Sequence, residues 1–499
     1  MKGGTDPSRL IRLEAHPLLV AGLLAGFFLA LFGTYWDDAW HTEKGRDSFL
    51  VPPHVVLYLG IALAGGALAC WALLSIRAQG IRQTLRTRSL LLALLGVGVT
   101  LGAAPIDNGW HLAFGRDAVI WSPPHMLGVV GTLAIAAAML LELADSGSTW
   151  SRGAGVVAGA AVVAASTIPV LEYETDVPQF DVAFYLPVLA LGSSVGLGLV
   201  RRSLVGTIPA TAAAALHAGA LIVVALVLLA LSMPPPLVPA LVIPAAALDW
   251  AAHRRLPLGA AAALFALGLV GVYAAYLDFL KEDVFIGPRE LALGLPAAFA
   301  GTLVGLAATG WKGSQGLRSS RPAAAASLLL LMAYLVPMTF AAKAIAHDPG
   351  QGEEVADGEL TGTSVGDHAR LDVNLAGSRH CSDIEPSRIV ARRGGELVTG
   401  SLRGVTRCRF AGAVELPDRG RWFVYAEFDH NGQAVEAWLP LHAGDPEQVS
   451  GTRSVYIPPA SGSSLLKWAS GALIYLLVAG LLFATARLYA TSSGRPAGH

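Results

Sequence analysis

Long apolar runs alternate with short polar turns until about residue 346, and then the pattern changes. Runs near or above the ~20 residues that cross a bilayer fall at roughly 17–36, 54–76, 89–106, 124–143, 154–171, 182–200, 205–232, 237–252, 257–277, 291–311, 322–346 and 464–488. The run at 237–252 is short and ends in Asp249, Trp250 and His253. Basic residues then sort the turns. Arg77, Arg82, Arg86 and Arg88 follow the second run, Arg152 the fourth, Arg201 and Arg202 the sixth, Arg254 and Arg255 the eighth, and Lys312, Arg318 and Arg321 the tenth. Every even-numbered turn is basic, which predicts both termini on the cytoplasmic side.

Residues 347–462 read differently. Stretches such as Arg421-Trp422-Phe423-Val424-Tyr425-Ala426-Glu427-Phe428 and Ala434-Val435-Glu436-Ala437-Trp438-Leu439 alternate like strands, and Asp429-His430-Asn431-Gly432 between them signals a hairpin turn. The pattern predicts an all-α polytopic membrane protein of about 12 transmembrane helices with a small extracytoplasmic β-sandwich inserted before the last one. The boundaries are a helical domain over 1–346, the β-domain over 347–462, and a final helix with a cytoplasmic tail over 463–499.

Composition agrees with a membrane protein. Hydrophobic residues make up 54% and charged residues 14%, where a soluble domain carries closer to ~25% charged. Mean hydropathy is +0.55. The net charge of -1 offers no field for nucleic acid. Six lysines among 35 basic residues suggest GC-rich bacterial coding, and hence a bacterial plasma membrane. The N-terminus (Met1 to His16) is basic and lacks a small-residue cleavage site, so it reads as a retained signal anchor. Cys70 lies in an apolar run as a packing residue. Cys381 and Cys408 lie in the polar segment, where an oxidising compartment would bridge them. Closing that loop would contribute roughly 3–4 kcal/mol in the chain-entropy model.

The chemistry concentrates in a repeated pattern, at 36–58 and 106–129. The first copy reads Trp36-Asp37-Asp38-Ala39-Trp40-His41, then Gly45-Arg46-Asp47, then Pro52-Pro53-His54. The second reads Asp107-Asn108-Gly109-Trp110-His111, then Gly115-Arg116-Asp117, then Pro123-Pro124-His125. Asp37 and His41 map onto Asp107 and His111 at a constant offset of 70, and only the last histidine slips by one. Asp and His four apart share one helical face, and the Pro-Pro pair suits the entry of the next helix. Each turn can therefore gather one carboxylate and two imidazoles, an open ligand set for copper, zinc or iron(II). The Arg-Asp pairs would orient the histidines or close the turn. On a helical path the extra residue rotates His125 by about 100° relative to His54.

At these residues, over about 36–126, the chain resembles the C subunit of the copper membrane monooxygenases, the particulate methane and ammonia oxidising enzymes. That subunit carries Asp-x3-His-x12-His on one helical hairpin and Asn-x3-His-x13-His about 70 residues later. Asp107 stands where the family has Asn, with Asn108 adjacent. The resemblance implies that Asp37, His41 and His54, and likewise Asp107, His111 and His125, bind copper and activate dioxygen. The β-segment is similar to the extracytoplasmic domain of that family's B subunit in position and class alone.

Other ionisable residues read more plainly. Glu172, Glu174, Asp176 and Asp181 form a solvated acidic turn, with a third site or a cation funnel as the sharper reading. Asp249 and His253 read as interfacial, and His217 reads as hydrogen-bonded within the bundle, with a functional role as the sharper reading. His368, His380, His430 and His442 are candidate copper ligands, but without a Cys-x-His or Met pattern they read first as exposed histidines, and Trp422 and Trp438 read as β-domain core. The expected function is a copper oxidoreductase that hydroxylates a small apolar substrate, with a quinol or protein electron donor and either further monooxygenase-like subunits or a homo-oligomer. Copper transport, storage or sensing is the alternative, followed by a non-catalytic subunit of a larger complex.

Overall fold

The computed structural model describes residues 13, 16–44, 50–114, 120–144, 149–178, 180–280, 288–311, 354–375, 381–394, 396–457 and 464–492. The expected span at 322–346 lies outside them, as do Arg46, Asp47, Arg116, Asp117 and His380. The helices are α1 (Pro17–Lys44), α2 (Pro52–Gln79), the single turn α3 (Ile81–Thr84), α4 (Arg88–Phe114), α5 (Pro123–Ala144), α6 (Thr149–Thr167), the single turn α7 (Leu171–Glu174), α8 (Tyr185–Ser203), α9 (Pro209–Ala230), α10 (Val242–His253), α11 (Leu258–Leu280), α12 (Pro288–Ala308) and α13 (Ser464–Ser492). Ten helical segments among the described residues are long and apolar enough to cross a membrane. The chain is a helical polytopic protein with a separate β-domain.

One expected span is absent as a helix. Pro234, Pro235, Pro236 and Pro239 remove N–H donors, and the chain from Met233 to Leu241 runs without helix. Only α10 follows, and its 12 residues extend about 18 Å, short of the ~30 Å hydrocarbon core. The crossing at 237–252 is thus broken, with Leu237 N–H donating to the Glu174 carbonyl. Asp249 is enclosed by protein. It is 2% exposed and accepts from the N–H groups of Ala210 and Thr211, at the start of α9.

The two motif hairpins share a packing register, down to the small residues where their helices cross. Gly26 faces the backbone of Gly60 and Ala64, and Gly96 faces that of Gly131 and Ile135. The offsets are 70 and 71, those of the motif itself. At the next contact the small residue changes sides. Gly33 lies against Leu57 in the first hairpin, whereas Ala103 lies against Gly128 in the second. A Cβ added at Gly33 would meet the Leu57 backbone at 2.7 Å, whereas one added at Gly128 would lie an ordinary 3.7 Å from the Ala103 Cβ, so the first pair is the tighter at this point.

The β-domain is a closed barrel, not a sandwich. Its strands are β1 (Glu354–Gly366), β2 (His368–Asn374), β3 (Ile384–Arg393), β4 (Glu396–Thr406), β5 (Arg409–Glu415), β6 (Gly420–His430) and β7 (Gln433–Tyr456), in the order β1-β2-β5-β4-β3-β6-β7. Closure comes from the long β7. Its first half pairs with β6 and its second with β1, and the change of partner falls at Gly444, where φ is 123°. That turn joins the two edges a sandwich would leave open. The expected hairpin turn forms at Asn431-Gly432, both with positive φ. Cys381 and Cys408 are disulfide-bonded.

Trp422 fills the barrel beside Phe410 and Phe428, but Trp438 does not. It packs on the outer face with Phe423, Tyr425 and Tyr456, against Val177 of the helical domain. Both faces of β6 are therefore buried. The barrel is docked on the bundle.

Candidate metal centre

The two hairpins place their ligands by simple local rules. Asp37 and His41 are one turn apart near the end of α1, so both project from one face. Pro52 and Pro53 open α2, where their missing N–H groups go unneeded, and His54 follows as its third residue. His54 Nε2 lies 3.0 Å from Asp37 Oδ1, and His41 Nε2 lies 3.5 Å from the same oxygen. The three side chains form a group whose ligand atoms all lie within 4.8 Å of one another. Each is partly buried, 16–24% exposed. The Tyr58 ring stacks one turn along, 5.8 Å from the His54 ring.

The second copy repeats the arrangement as far as it is described. His125 is the third residue of α5 after Pro123 and Pro124, and its Nε2 lies 3.2 Å from Asp107 Oδ1. The expected 100° rotation of His125 is absent. Both second histidines occupy the same helical position, because the extra residue falls in the turn before α5 and not on the helix. His111 lies on α4, with its side chain outside the described residues. The two copies are neighbours, since His125 is near enough to Asp37 for their charges to interact.

A half-buried carboxylate with two imidazoles converging on it is a donor set that fits a divalent transition ion. It leaves coordination positions open for water, dioxygen or substrate.

Of the four carboxylates expected to be solvated beyond α6, Asp181 is exposed but the other three are buried. Glu172 and Glu174 are each 1% exposed and Asp176 is 4% exposed. Glu172 accepts from Ile120 N–H, and Glu174 accepts from the Tyr35 hydroxyl at 2.9 Å. Asp176 accepts from the Arg393 guanidinium and from Arg421 N–H, tying the turn to the barrel. Asp181 caps the following turn at Ala183 N–H. The partners of Glu172, Glu174 and Asp176 lie far along the chain, so nothing in the local sequence marks their burial.

Around the same docking surface, His442 bonds Glu447, and His368 and His430 remain barrel-surface residues. Burial would raise the Glu447 carboxyl, but hydrogen bonds from His442 and the charges of His442 and Arg421 hold it below the usual carboxylate range. His217 is 1% exposed, and neither ring nitrogen has a hydrogen-bond partner among the described residues, contrary to the hydrogen-bonded role expected for it. Sequence reasoning also missed Glu43, two residues past His41, whose side chain meets Arg421 of the barrel.

No protein-family model, curated protein or solved structure matches this chain.

Proposed function

We propose that the chain is a copper-dependent integral membrane oxidoreductase, similar to the membrane monooxygenases, which uses dioxygen to hydroxylate a small apolar substrate. The observation that carries this reading is the convergence of Asp37, His41 and His54 on a hairpin whose sequence and helix crossing recur at Asp107, His111 and His125. Zinc and iron fit the donor set less well than copper in light of the resemblance. Copper held there would supply one-electron chemistry towards dioxygen.

The protein's own contribution is positional. Asp37 balances part of the cation's charge and orients both imidazoles, and the apolar helices beside the hairpin admit substrate from lipid while limiting water. The overall change inserts one oxygen atom into a C–H bond and releases the other as water. It consumes two electrons and two protons per turnover, the electrons coming from a quinol or a protein donor. The alternation of basic turns supports a bacterial plasma membrane with the barrel on the outer side. Further monooxygenase-like subunits or a second copy of the chain are the natural partners.

Copper content of nanodisc-purified protein, with EPR on the oxidised form, tests the reading. One to two ions per chain are expected, and none at the hairpins after His41→Ala with His111→Ala. Unchanged copper in the double variant would refute it. Copper handling is the second reading, favoured by the broken crossing before α10 and by the buried His217, which has no hydrogen-bond partner among the described residues. A deletion strain that oxidises every hydrocarbon normally but loses copper tolerance would select it.

A further inference from the structure

The last turn of α1 is held from outside the bundle. Glu43 is the penultimate residue of the helix, two beyond His41. Its carboxylate accepts from the Arg421 guanidinium at 3.0 Å, and its backbone carbonyl accepts from the Arg453 guanidinium. That carbonyl is one of the four a helix end leaves unsatisfied, and a cation placed there is favoured by the helix dipole. Arg421 is itself fixed. Its side chain is 8% exposed, its N–H donates to Asp176 at 2.8 Å, and its carbonyl accepts from Arg393. The barrel thus grips the segment carrying Asp37 and His41 through two arginines, on β6 and β7.

Among the described residues the second hairpin shows no such grip. At the offset of 70, Glu43 becomes Ala113, which is exposed and offers no carboxylate. Its described support comes from the turn after α6, where Glu172 accepts from Ile120 N–H and the Pro169 carbonyl from the Trp121 indole N–H, and from α13. Gly471 packs on the Trp110 ring and on Pro123, and the Tyr475 hydroxyl donates to the Trp121 carbonyl at 2.6 Å. Trp110 directly precedes His111, and Trp121 lies four residues before His125. Two sites that look alike in sequence are braced by different parts of the chain.

We infer that Arg421, Arg453 and Glu43 are positioning residues for the first metal site alone, so that the docked barrel sets the affinity and geometry of that site independently of the second. The inference rests on the metal reading above and deepens it. A partner that shifts the barrel then acts on one site and leaves the other in place.

The experiment is a stepwise copper titration of full-length protein in nanodiscs, read by EPR, for wild type, Arg421→Ala, Arg453→Ala and Glu43→Ala. Each variant is expected to weaken the first site about ten-fold, the lower end of the range for residues that orient ligands. Its EPR parameters should change while those of the second site stay constant. Arg421→Ala combined with Glu43→Ala should cost no more than either alone, because both remove one contact. Glu43→Ala lies at a helix end and decides the matter if an arginine variant fails to fold. A wild-type protein that binds copper, with a Glu43→Ala protein of unchanged affinity and spectrum, overturns this inference and leaves the metal reading standing. A wild-type protein that binds no copper at the hairpins overturns both. Equal weakening of the two sites also overturns it, since the effect would then be general loosening of the bundle.

Discussion

Gly33→Ala should open the first site by pushing its two helices apart. A Cβ added at Gly33 would lie 2.7 Å from Leu57 N, 2.8 Å from its Cα and 2.9 Å from its Cβ. Two of these are backbone atoms, which cannot swing aside. Ordinary contact begins at 3.4 Å, so the helices must separate by the difference, about 0.7 Å, at a crossing one turn from both Asp37 and His54. The Asp37–His54 contact of 3.0 Å would lengthen towards ~3.7 Å, beyond the ~0.5 Å tolerance of a functional constellation. Overpacking of this kind costs about 1–3 kcal/mol in stability. The assay is copper affinity of the first site together with the melting temperature in nanodiscs, and both should fall.

The second hairpin is roomier at the matching place, where a Cβ added at Gly128 would lie an ordinary 3.7 Å from the Ala103 Cβ. Because the clash at Gly33 is chiefly with the Leu57 backbone, Gly33→Ala with Leu57→Gly should not restore the affinity. A second glycine inside the helix pair should cost about 1 kcal/mol more in stability. Two results would refute the reasoning: Gly33→Ala with wild-type affinity and melting temperature, or a double variant that regains wild-type affinity.

Asp176→Ala should loosen the barrel from the bundle. It strands the buried Arg393 guanidinium and the Arg421 N–H, a loss of about 3–5 kcal/mol for a broken buried pair, visible as faster proteolysis at the junction with an intact Cys381–Cys408 bond. Acidification should weaken the same junction through Glu447, whose folded value lies below 4.5. A lowered carboxylate contributes stability in full above its unfolded value, and that contribution is lost as pH falls through the folded value. Melting temperature between pH 6 and 3 should therefore decline less steeply in Glu447→Gln than in wild type, and parallel curves would count against the assignment.

The helices were legible because lipid demands long apolar runs, and the motif because its two copies keep the same polar residues. Even the broken crossing left a mark, in four prolines between 234 and 239. What failed to show locally had distant causes. Glu174 is buried because Tyr35, 139 residues earlier, reaches it, and Asp176 because Arg421 lies 245 residues on. His125 was misplaced because spacing alone does not say whether an extra residue falls on a helix or in a turn. Barrel closure turned on a change of pairing partner at one glycine, and strand alternation carries no sign of it. Trp438 looked like core because an outward position on a docked barrel is as apolar as an inward one.

The grip on Glu43 has a consequence for how the protein is made. Arg421 and Arg453 lie 378 and 410 residues after Glu43. At ~5–20 residues per second of translation, α1 waits roughly 20–80 s in the membrane before either arginine exists. The first hairpin is thus synthesised long before it can reach its final form. A ribosome that stalls, or a chain cut within the barrel, leaves a bundle inserted with its first site unbraced.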